Sequence, residues 1–148
     1  MLKKFNKHIK NEKGLTLIEL LAVIVILAIV AAIAVPAIGN IITNAKVNAL
    51  KADGQNVLAA ASLYFVDGGA SPVTDVQLIT AGFLDDAGGF ATTAGGLGAS
   101  VTKVPNGSNT ISGTSANSTN TVQFISATNA TISATKNVST GTVKITTP

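Results

Sequence analysis

Glu19 is the only acid in the most apolar stretch of the chain, and between Leu15 and Ile38 only Thr16 and Pro36 otherwise interrupt the aliphatic run. A carboxylate set well inside a bilayer costs about 2.5 to 3.5 kcal/mol on insertion scales, so an acid kept there is expected to have a partner. Two chemistries fit such a residue. It pairs with a cation, or it sits at the membrane interface and snorkels to water, as an acid in any single-pass protein can.

Elsewhere the residues that could carry a reaction are absent or isolated. His8 is the one histidine, there is no cysteine, and no His-Glu-x-x-His pattern occurs. Nucleophile–base pairs and thiolate or imidazole metal sites therefore have no candidates. Ala94 to Gly98, AGGLG, lacks the Gly-Lys-Ser/Thr ending of a phosphate loop and reads as a turn. Asp85 and Asp86 beside Gly88 offer oxygens of the kind calcium takes, but they read first as a solvated turn. Asn-x-Ser/Thr occurs at Asn106, Asn117, Asn129 and Asn137, as composition alone would produce. No catalytic, cofactor-binding or metal-ligating residues are expected.

The element that must position Glu19 is a helix. From Leu20 to Ile38 every residue except Pro36 is apolar, and no charge follows Glu19 until Lys46. A helix needs about 20 such residues to cross a bilayer core. Five of the ten lysines, Lys3, Lys4, Lys7, Lys10 and Lys13, precede Gly14. That bias places the N-terminus in the cytoplasm and the remainder outside. Without residues 1–14, five lysines face six carboxylates, so the sequence pI near 9.3 belongs largely to the N-terminal tail. The later Lys103, Lys136 and Lys144 are too sparse for the basic patch of a nucleic-acid binder. The lack of cysteine rules out a disulfide framework without fixing a compartment.

Beyond Ile38 the apolar residues Ile41, Ile42, Ala45, Ala49, Ala52, Ala59, Ala60 and Leu63 recur largely at spacings of three and four, which predicts an amphipathic continuation to Val66. Asp67-Gly68-Gly69 is a suitable end. Pro36 and Gly39 predict a kink or weak point, because proline removes a backbone donor and crowds the preceding turn. Next, Thr74 and Gln77 have capping-box spacing for a short helix over about 75–81, with Gly82 past its end and Phe83 and Leu84 holding it to the rest. From Ser100 on, Thr, Ser and Asn supply 26 of 49 residues. ASVTKVP, TVQFISAT, ATISATK and TVKITT each have strand length and β-branched content, so three or four antiparallel strands are predicted from about 99 on. Ile-Ser-Ala-Thr occurs at Ile125–Thr128 and again at Ile132–Thr135, which suggests two adjacent hairpin strands.

Taken together, the N-terminus resembles a type IV prepilin. It has a short Lys-rich leader ending in Gly14, then LTLIEL with Glu19 fifth after that glycine, then an apolar run containing Pro36. The resemblance covers about residues 8–66. LITAGFL is similar to a short helix of Gram-positive members, and the Lys-rich leader and cysteine-free head have the same look. Leu15 stands where the family most often has Phe, which bears on the efficiency of processing and not on its site.

The resemblance implies an α+β type IV pilin fold. Residues 15–36 would form a transmembrane and filament-core helix, 37–66 its amphipathic half, and 67–148 a head with a small antiparallel sheet. It implies removal of the leader, 1–14, by a prepilin peptidase that cuts between Gly14 and Leu15, followed by N-methylation of Leu15. The new α-amine, with an ordinary pKa of about 7.7 to 8, would lie about 6 Å along the helix from Glu19. A neighbouring helix shifted by one turn would bring its own amine to this carboxylate, and methylation keeps the charge. Leu15, Thr16 and Glu19 would thus serve assembly, while Pro36 and Gly39 would let the helix melt locally in a filament.

The partners implied are identical subunits in a helical homopolymer, the peptidase and N-methyltransferase, a membrane platform protein and an assembly ATPase. The expected function is that of a major pilin of a surface filament for adhesion or motility. A pilin-like subunit of a competence DNA-uptake machine or type II secretion pseudopilus shares the same N-terminal chemistry. The expected location is the cell membrane as a single-pass protein, then the extracellular filament. The rival is an ordinary secretory signal, since Ala32-Ile33-Ala34 fits the small-residue rule and would release a chain starting at Val35.

Overall fold

A computed structural model describes residues 16–91, 96–137 and 141–147. The chain divides into two compact units, 1–39 and 40–148. Helix α1 spans Leu17–Val66, beginning in the first unit and ending in the second. In the first unit its apolar side chains, Leu20, Ile24, Leu27 and Val30 among them, are exposed all round. Such a surface is out of place in water and suits lipid or other helices. By length and composition this segment qualifies as a membrane span.

The second unit is an α+β fold in which α1 is packed by one face on a five-stranded sheet. From Val47 onward the buried residues Val47, Leu50, Gly54, Val57, Leu58, Ala61 and Phe65 form the packing stripe, a different face from the one expected: of the predicted apolar positions only Ala60 is buried, while Ile41, Ile42 and Leu63 are exposed. The helix closes at Gly68, whose φ of 91° is a left-handed value, and the amide of Gly69 donates to the carbonyl of Tyr64 at 2.9 Å.

The strands are β1 (Val73–Thr74), β2 (Ala99–Thr102), β3 (Thr110–Ala116), β4 (Thr121–Ala127) and β5 (Thr142–Thr146), in the spatial order β1-β2-β3-β4-β5. Helix α2 (Asp75–Thr80) follows β1, and a 3-10 turn covers Gly88–Phe90. In α2 the capping box is reciprocal: Gln77 N–H donates to the Thr74 hydroxyl, and Thr74 N–H donates to Gln77 Oε1. Pairing is antiparallel from β1 to β4. β5 alone runs parallel to β4, so the sheet is mostly antiparallel.

That parallel pair corrects part of the strand assignment. ATISATK is not a strand; residues Asn129–Ala134 form helix α3, and the two Ile-Ser-Ala-Thr copies do not make a hairpin. Parallel neighbours cannot be joined by a tight turn, so a crossover is required between β4 and β5. Thr128 starts it, accepting from Thr131 N–H at 3.3 Å while its own N–H donates to Thr131 Oγ1 at 2.9 Å, a capping box with threonine at both ends. Ile132 then inserts into the core, whereas its counterpart Ile125 is 43% exposed. The same four residues thus adopt different structures because only one copy follows a cap.

The crossover is tied to α1 by side chains. Gln55 donates to Asn129 Oδ1 at 2.8 Å and to Ser133 Oγ at 3.0 Å, and the Lys51 ammonium donates to the Thr135 carbonyl. Lys51 is buried, and burial lowers its pKa below the ordinary lysine value. Between that lowered value and the ordinary one the unfolded chain binds a proton that the folded chain does not, so stability rises with pH across this interval. Lys51→Met is expected to abolish that rise, as measured by urea unfolding of the full chain in detergent at a series of alkaline pH values.

Candidate functional site

The first turn of α1 carries the chemistry picked out from the sequence. Thr16 is its N-terminal cap. The Thr16 amide donates to Glu19 Oε2 at 2.8 Å, the Thr16 hydroxyl donates to the same oxygen at 2.8 Å, and Glu19 N–H donates to the hydroxyl oxygen at 3.3 Å. The Thr-x-x-Glu spacing is a capping box, a role for Thr16 and Glu19 that the sequence reading missed although the pattern is plain in TLIE. The carboxylate is thereby fixed in orientation. Its Oε2 takes two donors, and its Oε1 has none among the described residues. A capped carboxylate whose Oε1 takes no donor among the described residues can still receive a cation.

Gly14 and Leu15 lie outside the described residues, so the processing junction and its amine have no geometry here. Pro36 and Gly39 fall inside α1, and helical structure continues through both. The bond lost to Pro36 is the one its missing N–H would have made to the carbonyl of Ala32. A Cβ at Gly39 would meet nothing within 4 Å, so no contact within one chain requires glycine there.

The remaining sequence candidates have structural employment. Asp86 Oδ1 accepts from Gly88 N–H at 3.1 Å, closing its own turn, and Asp53 on α1 accepts from Gly89 N–H at 2.8 Å. Among the described residues no three His, Cys, Asp or Glu side chains gather as metal ligands would. In AGGLG, Ala94 and Gly95 lie outside the described residues. The amides of Leu97 and Gly98 donate to the carbonyls of Thr114 and Phe90, both at 3.1 Å, so they are not turned toward a phosphate. Asn117 accepts from the amides of Thr119 and Asn120, and Asn137 donates to Asn48 Oδ1 at 2.8 Å.

Comparison with known proteins bears on the N-terminal segment. Residues 9–35 match the family described as the prokaryotic N-terminal methylation motif, the leader signature of type IV prepilin-like proteins. The match takes in Gly14, Leu15, Thr16 and Glu19 and ends one residue before Pro36. No curated protein and no solved structure matches the chain.

Proposed function

From a prepilin-like leader on a membrane-capable helix, we propose that the chain is a structural subunit, the major pilin of a type IV pilus, and not an enzyme. A prepilin peptidase on the cytoplasmic side cuts between Gly14 and Leu15, and Leu15 is N-methylated. The mature subunit waits in the membrane by its apolar helix, then enters the filament, where neighbouring helices replace lipid around the same side chains. The Thr, Ser and Asn of the head coat the filament and keep it in contact with water, as adhesion, motility or surface interaction requires.

The observation that carries this reading is Glu19. It is the sole acid in the exposed apolar part of α1, held by Thr16 through Oε2, while Oε1 takes no donor among the described residues. The methylated amine of a neighbouring subunit fills that position and sets the register. Pro36 and Gly39 supply the place where the helix can give as subunits pack. The energy of assembly comes from a cytoplasmic ATPase acting through a membrane platform protein.

Shearing surface material from cells with and without this chain tests the proposal. The expected result is filaments built of this subunit as the dominant protein, lost on its deletion. A cell surface bare of them, with DNA uptake or protein secretion lost on deletion, would instead assign the chain to a pilin-like machine of the competence or secretion type.

A further inference from the structure

Two polar side chains of the β3–β4 hairpin are buried with one atom each left unpaired. Ser115 on β3 is 0% exposed and Asn120, just before β4, is 3% exposed. Neither Ser115 Oγ nor Asn120 Nδ2 has a hydrogen-bond partner among the described residues. Burying a hydroxyl or an amide without a hydrogen bond is costly, so each of these atoms calls for a partner.

The strand register brings the two together. Ser115 stands opposite Val122 and Ala116 opposite Thr121, and the Asn117 amide donates to the Asn120 carbonyl at 2.9 Å. Opposite residues share a face, as do alternate residues along a strand, so Ser115, Asn117, Asn120 and Val122 stand on one face of the sheet. Val122 is fully buried, which makes it the core face. On that face Ser115 and Asn120 are diagonal neighbours, about 7–8 Å apart. Side chains this short do not close such a gap directly, but two hydrogen bonds of about 2.8 Å through one intervening oxygen span it.

The chemistry of the two atoms and of their surroundings selects the occupant. Asn120 Nδ2 can only donate, which excludes a cation, whereas the serine hydroxyl donates or accepts. The Asp53 carboxylate lies against Gly88 and accepts from Gly89 N–H, and a Cβ at Gly89 would stand 2.3 Å from Ser115 Oγ. An anion between the serine and the asparagine would therefore sit near a carboxylate, which disfavours it. Asn117 Oδ1 already accepts from the amides of Thr119 and Asn120.

We propose that a single buried water binds between Ser115 Oγ and Asn120 Nδ2, accepting from the amide and bonding to the hydroxyl, and ties the end of the hairpin to the core. The site stands apart from the filament reading and does not rest on it.

The test is NMR of the full chain in detergent micelles, observing nuclear Overhauser transfer from water to the Asn120 side-chain amide protons, together with a double-variant cycle by urea unfolding. The expected result is transfer with the sign of a water that tumbles with the protein. Ser115→Ala and Asn120→Ala should each lower the folded-to-unfolded ratio by about fivefold, and the double variant by clearly less than the product, since both changes lose the same water. Absence of that transfer in the unmodified chain would overturn the site. So would strict additivity, or a Ser115→Ala chain more stable than the original, which is the result for a hydroxyl buried with no partner at all. A chloride-dependent shift of the Asn120 amide signals would identify an anion there and overturn the assignment to water.

Discussion

Glu19→Gln is expected to leave α1 capped and to stop filament assembly, whereas Glu19→Ala is expected to lose the cap and assembly together. The distinction follows from the cap that the structure shows and the charge pairing proposed above. The amide oxygen of Gln can accept from the Thr16 amide and hydroxyl as Glu19 Oε2 does, so the first turn survives. What Gln lacks is charge. A methylated amine entering an apolar filament core opposite a neutral residue is an unpaired buried cation, and removing one partner of a buried pair costs about 3–5 kcal/mol. At 1.4 kcal/mol per factor of ten, each subunit addition becomes more than about a hundredfold less favourable, and a polymer multiplies that loss along its length. Electron microscopy of surface material should show no filaments for either variant, and the mass of the membrane-retained chain should show the leader still removed. Normal filaments from Glu19→Gln would remove the charge-pairing mechanism.

Phe124→Ala is the second large effect, expected to cost the head about 3–5 kcal/mol. Phe124 on β4 is 2% exposed, its ring centroid lies 5.4 Å from that of Phe90, and its edge rests on Gly54 of α1. A Cβ at Gly54 would stand 2.7 Å from two ring carbons, so helix and sheet reach their spacing only because position 54 has no side chain. Against a typical total of about 5–15 kcal/mol, the loss of this ring is enough to leave many heads unfolded at ambient temperature. Gly54→Val should destabilise through the same contact from the other side. In urea unfolding of the full chain in detergent, the double variant Gly54→Val with Phe124→Leu should then be more stable than the sum of the single changes, since the smaller residue vacates the space the valine needs. Strict additivity would mean that the two residues do not meet.

Legibility in the sequence followed the range of the forces involved. The membrane-capable helix was readable because an apolar run is a local property, and the α+β class because strand-like segments follow a long helix. Thr74 and Gln77 declare a cap within four residues. The same kind of pattern in Thr128-x-x-Thr131 went unread because its second member is Thr where Glu or Gln is usual, and β-branched residues around it suggested a strand. β3 was hidden by Ser112, Gly113 and Ser115, whose small side chains give no alternation; at Gly113 a Cβ would clash with the backbone of Gly98 and Ala99 on the neighbouring strand. The role of Gly54 depends on Phe124, 70 residues later. For the N-terminal site the reading came from the residue types, Gly14 and Leu15 lie outside the described residues, and the structure added that Thr16 holds Glu19 through Oε2.

If processing at Gly14 creates the group that Glu19 receives, the N-terminus of the assembled protein shows it most directly. Intact-mass and fragment-ion mass spectrometry of filaments sheared from the cell surface should find this chain beginning at Leu15, with one methyl group on its α-amine. A surface or secreted chain that begins at Val35, or filaments whose subunits keep residues 1–14, would contradict it.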